Sequence, residues 1–162
     1  MWLVLGLVAA QRLWELWLAD RNTRRLLAEG AVEVGSGHYP LFIVLHASWL
    51  AAIALTTPAA TVPSLWLLAG YGVLQLGRLW VITTLGRFWT TRIITLPAAP
   101  LVRRGPYRFV RHPNYWVASL EILVLPLVFG QVWIALIWSV ANALLVAWRI
   151  RVEDGALQDR RD

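Results

Sequence analysis

Leu125-Pro126-Leu127-Val128-Phe129-Gly130-Gln131 lies inside the last long apolar run of the chain, about residues 115–148, and decides how many helices the chain makes. As one helix that run would be ~50 Å long, against a bilayer hydrocarbon core of ~30 Å. Pro126 and Gly130 divide it. Proline removes a backbone donor from a helix, and glycine readily takes up turn conformations. The run therefore reads as a helical hairpin turning near Gly130-Gln131. Its first arm is short, and is tilted or only partly spanning.

Upstream lie three more apolar segments, at residues 2–19, about 41–57 and about 64–86. The first ends at the charged run Asp20, Arg21, Arg24, Arg25, and a polar, glycine-containing connector runs from Glu29 to Pro40. Thr57 to Ser64 forms an uncharged turn, while the long loop 87–113 carries six arginines and three prolines before its closing Pro113. The expected fold is one domain over residues 1–162, an all-α integral membrane protein with about five transmembrane helices, the last two forming the hairpin. Charge supports five helices over four. The 20–40 connector, the 87–113 loop and the 149–162 tail hold thirteen of the fifteen arginines, and five crossings place all three on one side. The positive-inside rule then puts the amino terminus outside and the carboxyl terminus in the cytoplasm, the expected membrane being the bacterial cytoplasmic one.

The composition suits this reading: 59% hydrophobic residues, eleven tryptophans and a mean hydropathy of +0.59. The chain lacks cysteine, which excludes thiol catalysis, disulfides and cysteine-ligated metal. It also lacks lysine, which excludes Schiff-base chemistry and a P-loop lysine. Its three histidines are widely spaced, so no metal site is expected. The net charge of +6 sits in loops beside apolar spans and suits an anionic membrane surface rather than nucleic acid. No obligate protein partner is evident. Because Arg12 and Glu15 interrupt the first apolar segment and no small-residue cleavage site follows, it reads as a retained helix.

Polar residues within the helices must be paired to be tolerated. Arg12 and Glu15 stand three apart on one helix, Arg78 is placed to reach Glu121 between helices, and His46 reads as an interhelical hydrogen bond. Two denser clusters lie at the arginine-rich face. In Arg108-Phe-Val-Arg111-His112-Pro113-Asn114-Tyr115, proline turns the chain at the membrane surface and Asn114 is placed to cap the next helix. Two readings fit: a helix terminus cradling an anionic or polar part of a cofactor, or an interfacial helix start with arginines on lipid phosphates. In Arg149-Ile-Arg151-Val-Glu153-Asp154, Arg149 and Glu153 share a helix face. An exposed pair of this kind is worth only ~0.3–0.5 kcal/mol, so convergence of the two clusters on one face is the stronger hint.

The run Leu101-Val102-Arg-Arg-Gly105-Pro106-Tyr107-Arg-Phe-Val-Arg111-His112-Pro113-Asn114-Tyr115, then an apolar hairpin, then Arg149-x-x-x-Glu153-Asp154-x-x-Leu157, resembles the isoprenylcysteine carboxyl methyltransferase family. The resemblance covers roughly residues 76–160, making 76–162 the family's catalytic core and 1–75 helical support and the acceptor side. Upstream, Arg21-Asn22 and Glu33-x-x-x-x-His38-Tyr39-Pro40 are similar to a short bacterial branch associated with O-methylation of polyketide-derived lipids such as alkylpyrones and alkylresorcinols. The resemblance implies a membrane-embedded site for S-adenosylmethionine lined by Pro100, Leu101, Val102, Tyr107, His112, Pro113, Asn114, Tyr115 and Glu153. It implies that Arg149 faces the methyl acceptor. Two positions depart from the family pattern: Asp154 stands where a second glutamate is usual, and Gly155 follows it.

Methyl transfer from a sulfonium is an in-line displacement that needs no metal and no nucleophilic side chain. Alignment of donor and acceptor can supply up to ~7–11 kcal/mol of barrier reduction. The expected reaction is methylation of a carboxylate or of a phenol or enol oxygen on a lipophilic acceptor, with membrane lipids as the surroundings. Arg149 would hold a carboxylate by paired hydrogen bonds, whereas a phenol would benefit from a base, for which Glu153 and His38 are candidates. Arg149 and Glu153 are thus the expected catalytic residues, and Arg149 and His38 the acceptor-binding ones. Two alternatives compete: an NADPH-dependent membrane reductase of sterols or enones, since sterol-reductase-like proteins carry a similar His-Pro-Asn-Tyr stretch, and a noncatalytic membrane subunit.

Overall fold

The computed structural model describes residues 1–96, 99 and 102–156, apart from the side chains of residues 38 and 156. Five helices account for most of them: α1 (Trp2–Ala28), α2 (Tyr39–Thr56), α3 (Leu65–Leu85), α4 (Pro113–Val128) and α5 (Val132–Ala156). Four are long and apolar enough to cross a membrane, and α4 is the shorter apolar arm. At 1.5 Å per residue α4 spans ~24 Å, less than the ~30 Å core, as the position of Pro126 leads one to expect. Outward faces are apolar, with Trp66 90% and Leu55 86% exposed, which is the surface pattern of a chain solvated by lipid. The protein is an all-α integral membrane protein.

The hairpin between α4 and α5 closes on Gly130, whose φ of 73° a side chain would disfavour. The amide of Gln131 donates to Pro126 O (3.0 Å) and that of Gly130 to Leu127 O (3.0 Å). These two bonds form a Schellman ending that satisfies carbonyls at the end of α4. Pro126 lies inside α4 and cannot bond the carbonyl four residues back, at Ile122. The buried indole of Trp49 on α2 donates to that carbonyl instead (3.2 Å). Trp49 and Ile53 of α2 pack there with Ile122, Leu125 and Val128 of α4 to form the main apolar core.

A buried ionic network crosses this core. Glu15 on α1 accepts from Gln11 (2.8 Å), Arg12 (2.7 Å) and Arg78 (3.2 Å). Glu121 on α4 accepts from Arg12 (2.7 Å), from Gln75 (2.8 Å) and from Arg78 Nε (2.8 Å) and Nη2. The two pairs expected from sequence therefore merge into one group with zero formal charge, joining α1, α3 and α4. His46 departs from expectation: its Nδ1 bonds Phe42 O (2.8 Å) within α2, since the carbonyl four residues back on the same helix face is within its reach.

At the arginine-rich end, the connector after α1 and the loop after α3 are not the plain loops their composition suggested. β1 (Val32–Val34) and β2 (Ile93–Thr95) pair antiparallel, with Glu33 opposite Ile94. Arg92 Nη1 donates to Glu33 (3.0 Å) and Arg87 Nη1 to Glu29 (3.1 Å), so connector and loop lie together at one end of the bundle. At the other end, the Ser64 amide donates to Val128 O (2.8 Å) and Gln131 Nε2 to Thr57 Oγ1 (3.2 Å).

Removing one partner from the buried network leaves an uncompensated charge, which costs ~3–5 kcal/mol. Arg78→Leu is expected to lower the thermal unfolding midpoint of the detergent-solubilised protein clearly. Arg24→Ala, which removes only the exposed pair with Asp20, is expected to leave it in place.

Candidate active site

The loop that follows α3 is fastened from two sides. Asn22 of α1 donates through Nδ2 to Gly86 O (3.1 Å) and Trp89 O (2.8 Å), fixing the turn at Gly86–Phe88. Gly105, at φ 57°, brings the Gly105–Arg108 turn against α3, where a Cβ would lie 2.5 Å from Thr84 Oγ1. Trp89 and Tyr107 then pack over Ala19, Val81 and Ile82, giving the loop an apolar floor.

Pro113 is the first residue of α4 and His112 precedes it as N-cap, without a side-chain capping bond. Asn114 is therefore two residues past the cap position, because proline's fixed φ starts the helix at Pro113. Its Oδ1 is buried without a hydrogen-bond partner among the described residues. Tyr115 follows on the same turn, its ring stacked on His112 with centroids 5.4 Å apart.

The end of α5 brings the second cluster to this point. Arg149 Nε donates to the Tyr115 hydroxyl (2.7 Å), and that hydroxyl donates to Glu153 Oε2. Arg149 and Glu153 do share a helix face, but a tyrosine from α4 bridges them. His112 Nδ1 lies 3.8 Å from Glu153 and its Nε2 3.4 Å from Asp154 Oδ1, ion-pair distances without hydrogen-bond geometry. The Arg149 guanidinium is also held between two rings, 5.3 Å from the Phe42 centroid and 5.6 Å from that of Tyr115. Its Nε is thus engaged, while its Nη groups make no hydrogen bond among the described residues.

Beside this network is a cavity of about 650 Å³, within the ~300–1,000 Å³ range of small-molecule sites. Of the residues implied by resemblance, Val102, Tyr107, His112, Asn114, Tyr115, Arg149 and Glu153 line it. Pro113 is buried at the start of α4 and does not. Pro100, Leu101 and the side chain of His38 lie outside the described residues. Trp89, Arg92, Arg103 and Arg111 also line the cavity. One tryptophan among eleven and arginines in a basic loop carried no signal that set them apart. Phe42, more than a hundred residues from Arg149, carried none either. Burial, and then the nearby Glu153 carboxylate, push the Tyr107 hydroxyl well above the usual tyrosine range, so it faces the cavity as a neutral group.

Residues 66–159 match the isoprenylcysteine carboxyl methyltransferase (ICMT) family. The chain belongs to this family and is a membrane methyltransferase. It is 38% identical over 162 residues to a Bacillus subtilis (strain 168) protein described as uncharacterized protein YpbQ, covering 98% of this chain and 96% of that one. It is 28% identical over 158 residues to an uncharacterized protein of Haemophilus influenzae, covering 93% and 90%. No solved structure matches the chain. Family membership selects the methyltransferase over the reductase expected as its rival.

Tyr115→Phe keeps the ring stacked on His112 and removes the hydroxyl that joins Arg149 to Glu153. A hydrogen bond to a charged group is worth ~1.5–3 kcal/mol. Methyl transfer is expected to fall roughly tenfold or more, with far-ultraviolet circular dichroism unchanged.

Proposed function

We propose that the protein transfers a methyl group from S-adenosylmethionine to an oxygen of a lipophilic acceptor drawn from the membrane. The observation that carries this reading is the Arg149–Tyr115–Glu153 network at the wall of a cavity that borders both the aqueous loops and the bundle. The cavity residues suit the cofactor. Asn114 Oδ1 and Trp89 Nε1 are an acceptor and a donor without partners among the described residues, the kind of groups a nucleoside and an amino acid moiety would engage. Glu153 offers a carboxylate that suits a sulfonium. Arg103 and Arg111 offer cations for the methionyl carboxylate.

When bound, S-adenosylmethionine supplies a methyl group on a positively charged sulfur. The chain supplies placement. Arg149, clamped by Phe42 and Tyr115, offers its Nη groups to an anionic or polarised acceptor oxygen and steadies the charge on it. Apolar walls from Leu85, Phe88 and Ile93 keep water from competing as acceptor. Val102, Tyr107, His112, Asn114 and Tyr115 stand on the cofactor side, and Arg149 on the acceptor side.

The arginine distribution supports a cytoplasmic site with the amino terminus outside. Because the chain has no cysteine, single cysteines report on this directly. Ala60→Cys is expected to react with a membrane-impermeant maleimide in intact bacteria, and Ser36→Cys only after permeabilisation. The reverse pattern would invert the topology.

Membranes containing the protein, incubated with methyl-labelled S-adenosylmethionine and a panel of prenylcysteines, alkylpyrones and alkylresorcinols, are expected to yield a labelled lipid. Arg149→Ala is expected to abolish it. Binding of the cofactor with no labelled product from any lipid, including the native membrane pool, would point instead to the noncatalytic subunit.

A further inference from the structure

The charged groups at the end of α5 do more than hold Arg149. Tyr115, Glu153, His112 and Asp154 follow one another from the cavity toward water. The Tyr115 hydroxyl donates to Glu153, His112 Nδ1 is 3.8 Å from that carboxylate, and His112 Nε2 is 3.4 Å from Asp154. Side-chain exposure along the path is 24% at Glu153, 15% at His112 and 35% at Asp154, so it is greatest at the outer end. A structural ion pair needs one acid. Here two acids flank one imidazole, whose two nitrogens face different carboxylates.

We propose that these four residues form a proton exit, which carries the proton of a hydroxyl acceptor out of the site as its oxygen is methylated. This rests on the methyltransferase reading above and narrows it to acceptors that arrive protonated. The acceptor oxygen bonds to the methyl carbon, the carbon–sulfur bond breaks, and its electron pair stays on sulfur, which becomes a neutral thioether. The acceptor's proton passes to the Tyr115 oxygen, whose remaining lone pair is free to accept it, while the Tyr115 proton passes to Glu153. One positive sulfonium and one negative carboxylate thus become two neutral groups. The Glu153 proton then leaves through His112 to Asp154 and water. Arg149, donating to the same hydroxyl through Nε, resists build-up of positive charge on Tyr115 and favours onward transfer.

Asp154 is the informative position, since it lies at the water end of the path. The probe is a series of alkylphenols whose ring substituents lower the hydroxyl pKa stepwise, assayed with S-adenosylmethionine in proteoliposomes alongside a prenylcysteine. Asp154→Asn is expected to slow methylation of the least acidic phenol about tenfold, the low end of typical proton-transfer contributions. The loss is expected to shrink toward none for the most acidic phenol, and Asp154→Glu to restore the rate. A loss equal across the series, no loss at all, or methylation of the prenylcysteine alone would overturn the proton exit. Retention of labelled S-adenosylmethionine by both proteins is measured in parallel. If the unaltered protein retains none, the methyltransferase reading itself fails.

Discussion

Two carboxylates and two guanidinium groups enclosed among apolar helices have few stable arrangements. A single charge at the centre of a membrane helix costs ~2.5–3.5 kcal/mol on insertion scales. Glu15 and Glu121 together accept eight hydrogen bonds from Arg12, Arg78, Gln11 and Gln75, and the full set forms only when α1, α3 and α4 are in register. Apolar packing between helices is weakly directional in lipid, whereas this network is strongly so. It fixes how far α4 sits along α1, and with it the level at which Tyr115, two turns from Glu121, meets the end of α5.

The candidate site is the consequence at the aqueous end. Asn22 holds the turn after α3 to α1, Gly105 lets the next turn settle on Thr84, and the Arg149–Tyr115–Glu153 bridge joins α4 to α5. The cavity lies between these three fastenings. Its groups, a clamped arginine, neutral phenols and a carboxylate reached through a hydroxyl, suit the proposed alignment of two bound molecules. A lipid-soluble acceptor suits a site built where helices leave the bilayer.

Much of this was legible in the sequence because its signals are local. Pro126 with Gly130 located the hairpin turn, and arginine counts grouped the right connectors at one end. The spacing of Arg149 and Glu153 put both on one face. The missing parts are relations between distant residues. Nothing near Arg12 announces Glu121, and the β1–β2 pair consists of three-residue strands sixty residues apart. The Trp49 bond that repairs the gap left by Pro126, and the Phe42 ring over Arg149, exist only once α2 has docked. Asn114 misled because its preference for helix caps was outweighed by Pro113, which starts the helix itself and leaves the cap position to His112.

The central claim is that the cavity between the 102–115 segment and the end of α5 holds the methyl donor. Photolabelling tests it most directly: the purified protein is irradiated with radiolabelled S-adenosylmethionine, digested, and the labelled peptides sequenced. The account predicts label within residues 102–115 and 149–153, lost when excess S-adenosylhomocysteine competes. Competable label confined to α2 or to the turn between α2 and α3 would contradict it.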